Sequence, residues 1–113
     1  MDNHITYSDF EKVIMATGTI ITCGENKKAR KPSYVLEIDF GPEWGIKTSS
    51  AQITDLYDSD DLIGRQVTAV LNFPPMRIAG VKSEVLVLGV PNADGSVVLL
   101  HPERRVDNGV RVF

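Results

Sequence analysis

Apolar and polar positions alternate most plainly over residues 33–40, where Tyr34, Leu36, Ile38 and Phe40 interleave with Val35, Glu37 and Asp39. A period of two predicts a strand with one face largely apolar and the other mainly acidic. Before it, a β-leaning run opens at Val13-Ile14, is interrupted by Gly18 and continues as Thr19–Cys23. A glycine inside a strand marks a bulge or sharp bend, which a small closed barrel needs at its corners. The polar segment Gly24–Pro32 predicts a loop between these two strands. Gly41-Pro42 predicts a turn, and Glu43–Thr48 a third strand. Ser49 or Ser50 then caps a short helix over Ala51–Tyr57, where Ile53, Leu56 and Tyr57 share a face, and Asp58–Asp61 ends it.

Two runs further on, Val67–Phe73 and Glu84–Leu88, lack a clean period of two and read as strands covered on both faces or curled into a barrel. Pro74 and Pro75 cannot donate to a ladder, so pairing stops there. Pro74–Ser83 is then a loop carrying Met76, Arg77 and Lys82. The Pro91–Gly95 turn precedes a last strand, Ser96–His101. At the start, Ser8-Asp9-Phe10-Glu11 matches a capping box with Ser8 as N-cap of a short helix. Residues 1–7 and 110–113 read as tails, flexible or dimer-contacting. The order of three strands, short helix and two strands predicts an all-β fold: a five-stranded Greek-key OB-fold barrel with added C-terminal β structure. A β-sandwich would not need a helix between its third and fourth strands. At 113 residues the chain is one domain, 1–113.

Charge changes the picture. The chain is acidic overall, with a formal net charge of −3, whereas an electrostatic nucleic-acid binder is usually basic. In an OB-fold, ligands lie across strands 2–3 between the loop joining strands 1 and 2 and the loop joining strands 4 and 5. Those loops hold Lys27, Lys28, Arg30 and Lys31 on one side, and Arg77 and Lys82 on the other, against the single acid Glu25. The expected site is therefore a local basic patch. Phe73 offers a stacking aromatic, Met76 an adaptable apolar side chain, and Trp44 an anchor or a barrel plug.

Other chemistry finds little support. The single cysteine, Cys23, excludes an internal disulfide and reads as a buried, inert thiol. No charged-then-apolar leader and no apolar run of membrane length is present, so a cytoplasmic protein without membrane insertion is expected. His4 and His101 have no third ligand at metal spacing, and no glycine-rich phosphate loop occurs. Neither an enzyme nor a cofactor is expected.

From Phe10 to Gly109 the sequence resembles the CsaA-type secretion chaperones, within the tRNA-binding-domain superfamily of OB-folds. The resemblance is carried by ARKPSYVLEIDFG (29–41), GIKTSSAQIT (45–54), NFPP (72–75), SEVLVLG (83–89), VVLL (97–100) and VDNG (106–109). It implies a non-catalytic cytoplasmic homodimer that binds exported or unfolded polypeptides, with tRNA and the protein-translocation machinery as further partners to consider. By the matching motifs, the implied site comprises Arg30 and Lys31; Lys47, Ser49, Ser50 and Gln52; Asn72, Phe73, Pro74 and Pro75; and Ser83 and Glu84. With the loop cations and Met76, these form one expected groove, apolar at its floor and basic at its rim. Two departures stand out: Met76 replaces an arginine usual in relatives, and Ile14 and Ala16 replace an aspartate and an arginine.

Overall fold

A computed structural model describes residues 2–113; of the expected first tail, residue 1 lies outside the described residues. The chain forms α1 (Tyr7–Glu11), β1 (Met15–Glu25), β2 (Tyr34–Asp39), α2 (Gly41–Trp44), β3 (Ile46–Ala51), α3 (Ser59–Leu62), β4 (Gln66–Val70), β5 (Met76–Ile78), β6 (Val81–Ser83), β7 (Leu86–Val87), β8 (Gly89–Pro91) and β9 (Val97–Leu99). One antiparallel sheet runs β3-β2-β1-β4-β7, and two small hairpins, β5-β6 and β8-β9, are added to it. Segment 83–85 lies beside β3, so the sheet curls into a nearly closed five-stranded barrel, the expected OB-type architecture.

The long strand β1 makes this curvature possible. Its first half pairs with β4, Met15–Thr19 against Val70–Gln66, and its second half pairs with β2. The register slips between Ile20 and Thr22, so the bulge sits there rather than at Gly18, where it was expected. Gly18 has a different task. A Cβ on it would lie 2.6 Å from Phe40 Cδ1 and 2.7 Å from Ile38 Cγ2, so the missing side chain is what admits Phe40 to the core. The alternation in β2 holds: Tyr34, Leu36 and Ile38 are buried, joining Ile20, Phe40, Leu62, Val67 and Ala69 in one cluster.

Several boundaries are corrected. Thr6, not Ser8, is the N-cap: its hydroxyl accepts from the Asp9 amide at 3.1 Å and the Asp9 carboxylate returns the bond at 3.1 Å. The box works two residues earlier because Asp9, like glutamate, reaches back to the cap amide. Residues 52–58 are not helical. Ser49 and Ser50 lie inside β3, whose ladder with β2 continues to Ala51↔Tyr34, and the intervening helix is α3. The third strand thus starts at Ile46, three residues late, because Gly41–Trp44 forms a helical turn. The segment Pro74–Ser83 is not a plain loop: β5 and β6 pair through Ala79 (φ 47°) and Gly80 (φ 82°), the left-handed pair of a type I′ turn. The expected strand Glu84–Leu88 shrinks to β7, and Ser96–His101 to β9.

Candidate binding surfaces of the barrel

The two long connections do meet. Lys28 packs across Gly80, with its Cδ 3.1 Å and its Nζ 3.5 Å from where a Cβ would stand. Arg77 Nη1 donates to the Gly80 carbonyl at 3.2 Å. Arg77 and Lys82 are also direct cross-strand partners in the hairpin. Like charges placed opposite each other destabilise a hairpin. Among the described residues, ion pairs within 4.0 Å join only His4–Asp2, Lys12–Asp9 and Arg104–Glu103, so no carboxylate neutralises this tip. Lys27, Lys28, Arg30 and Lys31 lie in the loop between β1 and β2, all four exposed.

An apolar groove of about 430 Å³ lies beside the same hairpin, lined by Phe73, Pro74, Pro75, Met76, Ile78, Ser83, Glu84, Val85 and Leu86. Phe73 is 54% and Met76 64% exposed, large fractions for side chains of this kind. Alternation along β5 puts Met76 and Ile78 on one face and Arg77 on the other. On β6, Ser83 shares the Met76 face and Lys82 the Arg77 face. The groove therefore has no lysine or arginine in its wall. The single expected groove with an apolar floor and a basic rim resolves into two adjoining surfaces, an apolar one and a basic one, on opposite faces of one hairpin. Ile78, Val85 and Leu86 were not anticipated. The signal for Ile78 was its spacing of two from Met76, hidden because the segment reads as a loop.

Several residues singled out by motif turn out to hold the barrel together. Glu84 donates its amide to the Thr48 carbonyl at 2.8 Å, and its carboxylate accepts from the Thr48 amide at 3.1 Å. Ser83 Oγ accepts from the Ser50 amide at 3.2 Å, and Ser49 Oγ, almost fully buried, donates to the Val85 carbonyl at 3.2 Å. These bonds close the gap between β3 and β7 that a strand ladder would otherwise fill. Asn72 bonds the Ile14 amide at 2.9 Å and the Lys12 carbonyl at 2.7 Å, tying the end of β4 to the start of β1. Lys47, opposite Ile38 on β3, and the exposed Gln52 line none of the surfaces described above. Ala16 is fully buried, so this position faces the core. Trp44 packs half-buried against the core rather than standing as an exposed anchor. Burial, aided by the Asp60 charge, pushes the Cys23 thiol up, opposite to the shift that activates a nucleophile.

A nearly closed five-stranded barrel, with a basic loop cluster and an apolar groove at its 4–5 connection, defines an OB-fold domain. The model of the tRNA binding domain matches residues 15–111, and the chain belongs to that family. Among solved structures it is similar to the chaperone CsaA of Bacillus anthracis str. Ames, with 52% identity, a TM-score of 0.90 and coverage of 97% of this chain and 99% of that one. It is similar also to the CsaA chaperone protein of Picrophilus torridus, with 46% identity, the same TM-score and coverage of 97% and 100%. Among curated proteins, the methionine–tRNA ligase of Christiangramia forsetii is 33% identical over 106 residues, 94% of this chain but 14% of the ligase. Within its family the chain is thus of the CsaA type, and it spans about a seventh of the ligase it matches.

Proposed function

We infer that this protein is a non-catalytic chaperone that holds extended polypeptides, seating apolar side chains in the groove between Phe73 and Leu86. The observation that carries this reading is the composition of the groove wall: nine residues, of which only Glu84 is charged, and that carboxylate is engaged by the Thr48 amide. Such a wall suits aliphatic and aromatic side chains and repels phosphate. Met76, unbranched and exposed, adapts to side chains of varied shape, which favours broad over narrow sequence preference. The outer edge of β5 has no strand partner among the described residues, so an extended segment finds main-chain donors and acceptors beside the pocket.

Two copies acting together fit the exposed apolar side chains of both ends. Ile5 and Tyr7 at the start, and Val110 and Phe113 at the finish, are exposed, and the two ends are stitched by the Arg111 guanidinium on the Glu11 carbonyl and the Ala16–Arg111 bridge. A homodimer through this face would present two grooves. Exported polypeptides and the translocation machinery are then the partners to test. The direct test is fluorescence anisotropy with labelled apolar peptides of about ten residues. The combined change Phe73→Ala and Met76→Ala should weaken binding at least tenfold, about 1.4 kcal/mol or more, without lowering stability. Unchanged affinity would refute the groove.

A second reading, RNA binding, is favoured by the family match and by the unneutralised cations of the hairpin tip. RNA binding should weaken steeply with salt, peptide binding only slightly.

A further inference from the structure

A second cleft, of about 330 Å³, lies at the other end of β4. Its walls include Arg65, His101 and Arg105, with Tyr57 beneath. The Arg65 guanidinium carbon stands 5.3 Å from the Tyr57 ring centroid, and its Nε donates to the Asp61 carbonyl at 3.0 Å. The Tyr57 ring is itself held, because its hydroxyl accepts from the Leu99 amide at 3.0 Å. Arg105 reaches the same turn, donating from Nη1 to the Gly64 carbonyl at 3.2 Å. Gln66, buried beside it, binds the Val106 carbonyl and amide at 2.6 and 3.0 Å, so the backbone next to Arg105 is clamped to β4.

Two guanidiniums are thus anchored, each by one N–H, to carbonyls that carry no net charge. Their remaining donors are unspent, and no carboxylate among the described residues comes within 4.0 Å of either. Glu103, the one acid in the wall, is taken by Arg104. Paired planar forks suit phosphate oxygens, and pre-anchoring lowers the entropy cost of binding. Val98 and Pro102 add an apolar side against which a ribose can rest.

We propose that Arg65 and Arg105 form a phosphate-binding cleft that grips the phosphodiester backbone of RNA, separate from the polypeptide groove. The inference rests on the RNA-binding reading, and it moves the phosphate grip away from the loops between β1 and β2 and between β4 and β7. The four steps of β4 from Gln66 to Val70 set the two surfaces roughly 13 Å or more apart. The two surfaces share no lining residue, so under this proposal peptide and RNA bind independently.

The test compares tRNA, a labelled oligouridylate and inorganic pyrophosphate as probes of the full chain and three variants. In the double change Arg65→Gln and Arg105→Gln, tRNA and oligouridylate should bind about tenfold or more weakly. The salt slope should fall by about 0.7 to 0.9 for each phosphate no longer gripped. Peptide affinity should not move, and saturating peptide should not displace RNA. Arg65→Lys with Arg105→Lys keeps the charge, so it should retain the slope while giving up part of the affinity. Gln variants that match the parent in RNA affinity and slope, with weakening seen only in the triple change Lys28→Gln, Arg30→Gln and Lys31→Gln, would overturn the cleft but leave RNA binding standing. No RNA binding by the parent chain would overturn both. Pyrophosphate bound through the arginines without RNA would overturn RNA as the source of the phosphate.

Discussion

Replacing Glu84 with alanine asks whether the glutamate of the Ser83-Glu84 pair touches a ligand or closes the barrel. In the fold its carboxylate accepts from the half-buried Thr48 amide at 3.1 Å, while its own amide bonds the Thr48 carbonyl at 2.8 Å. Alanine keeps the second bond and strands the first donor. A fully buried unsatisfied amide costs about 1 to 3 kcal/mol, and the half-exposure of Thr48 favours the lower part of that range. Urea unfolding followed by the emission of Trp44, the single tryptophan, should show a stability loss of about 1 to 1.5 kcal/mol. With a slope near 1.3 kcal/mol per molar, typical of small proteins, the midpoint moves down by about 1 M. Glu84→Gln retains an acceptor oxygen and should lose less than half as much. Peptide affinity, measured well below the transition, should change little for either variant. An alanine variant that unfolds with the parent yet no longer binds peptide would mean that Glu84 meets the ligand and that the closure argument is wrong.

Gly18→Ala should cost about 3 kcal/mol or more, since its Cβ would enter van der Waals space already filled by Phe40 and Ile38; a second change, Phe40→Leu, should recover part of that loss in the same urea assay. Tyr34→Phe removes a hydroxyl that donates to the Tyr57 carbonyl at 2.8 Å from a buried position, and a loss of about 1 kcal/mol is expected, read as a melting shift. The bonds from the Thr6 amide and hydroxyl hold the Asp9 carboxyl below its ordinary value. Its contribution to α1 is therefore full above that ordinary value, near pH 4, and is lost as pH falls through the lower folded value; amide exchange at Asp9 and Phe10 should rise there, and an unchanged rate down to about pH 2 would contradict the cap.

What the amino-acid order determined is local and periodic. Tyr34, Leu36, Ile38 and Phe40 declare β2 because a strand with one buried face repeats every two residues, whereas β4 ends at Val70, short of Pro74 and of the Phe73 end that the apolar run suggested. The order of strands around a short helix was enough for the barrel, and of the loop cations Lys28 does reach the hairpin tip at Gly80. Other features depend on contacts between segments far apart in the chain. Ser49 looks like a helix cap from its neighbours alone, but in the fold its hydroxyl meets the Val85 carbonyl across the barrel seam. Met76 and Arg77 look like members of one site because they are adjacent, yet the pleat sends them to opposite faces. Gly18 reads as a bend until Phe40, far along the chain, fills the space above it. A short window encodes which face a side chain takes along its own strand; what stands against that face depends on how the closed barrel brings distant strands together.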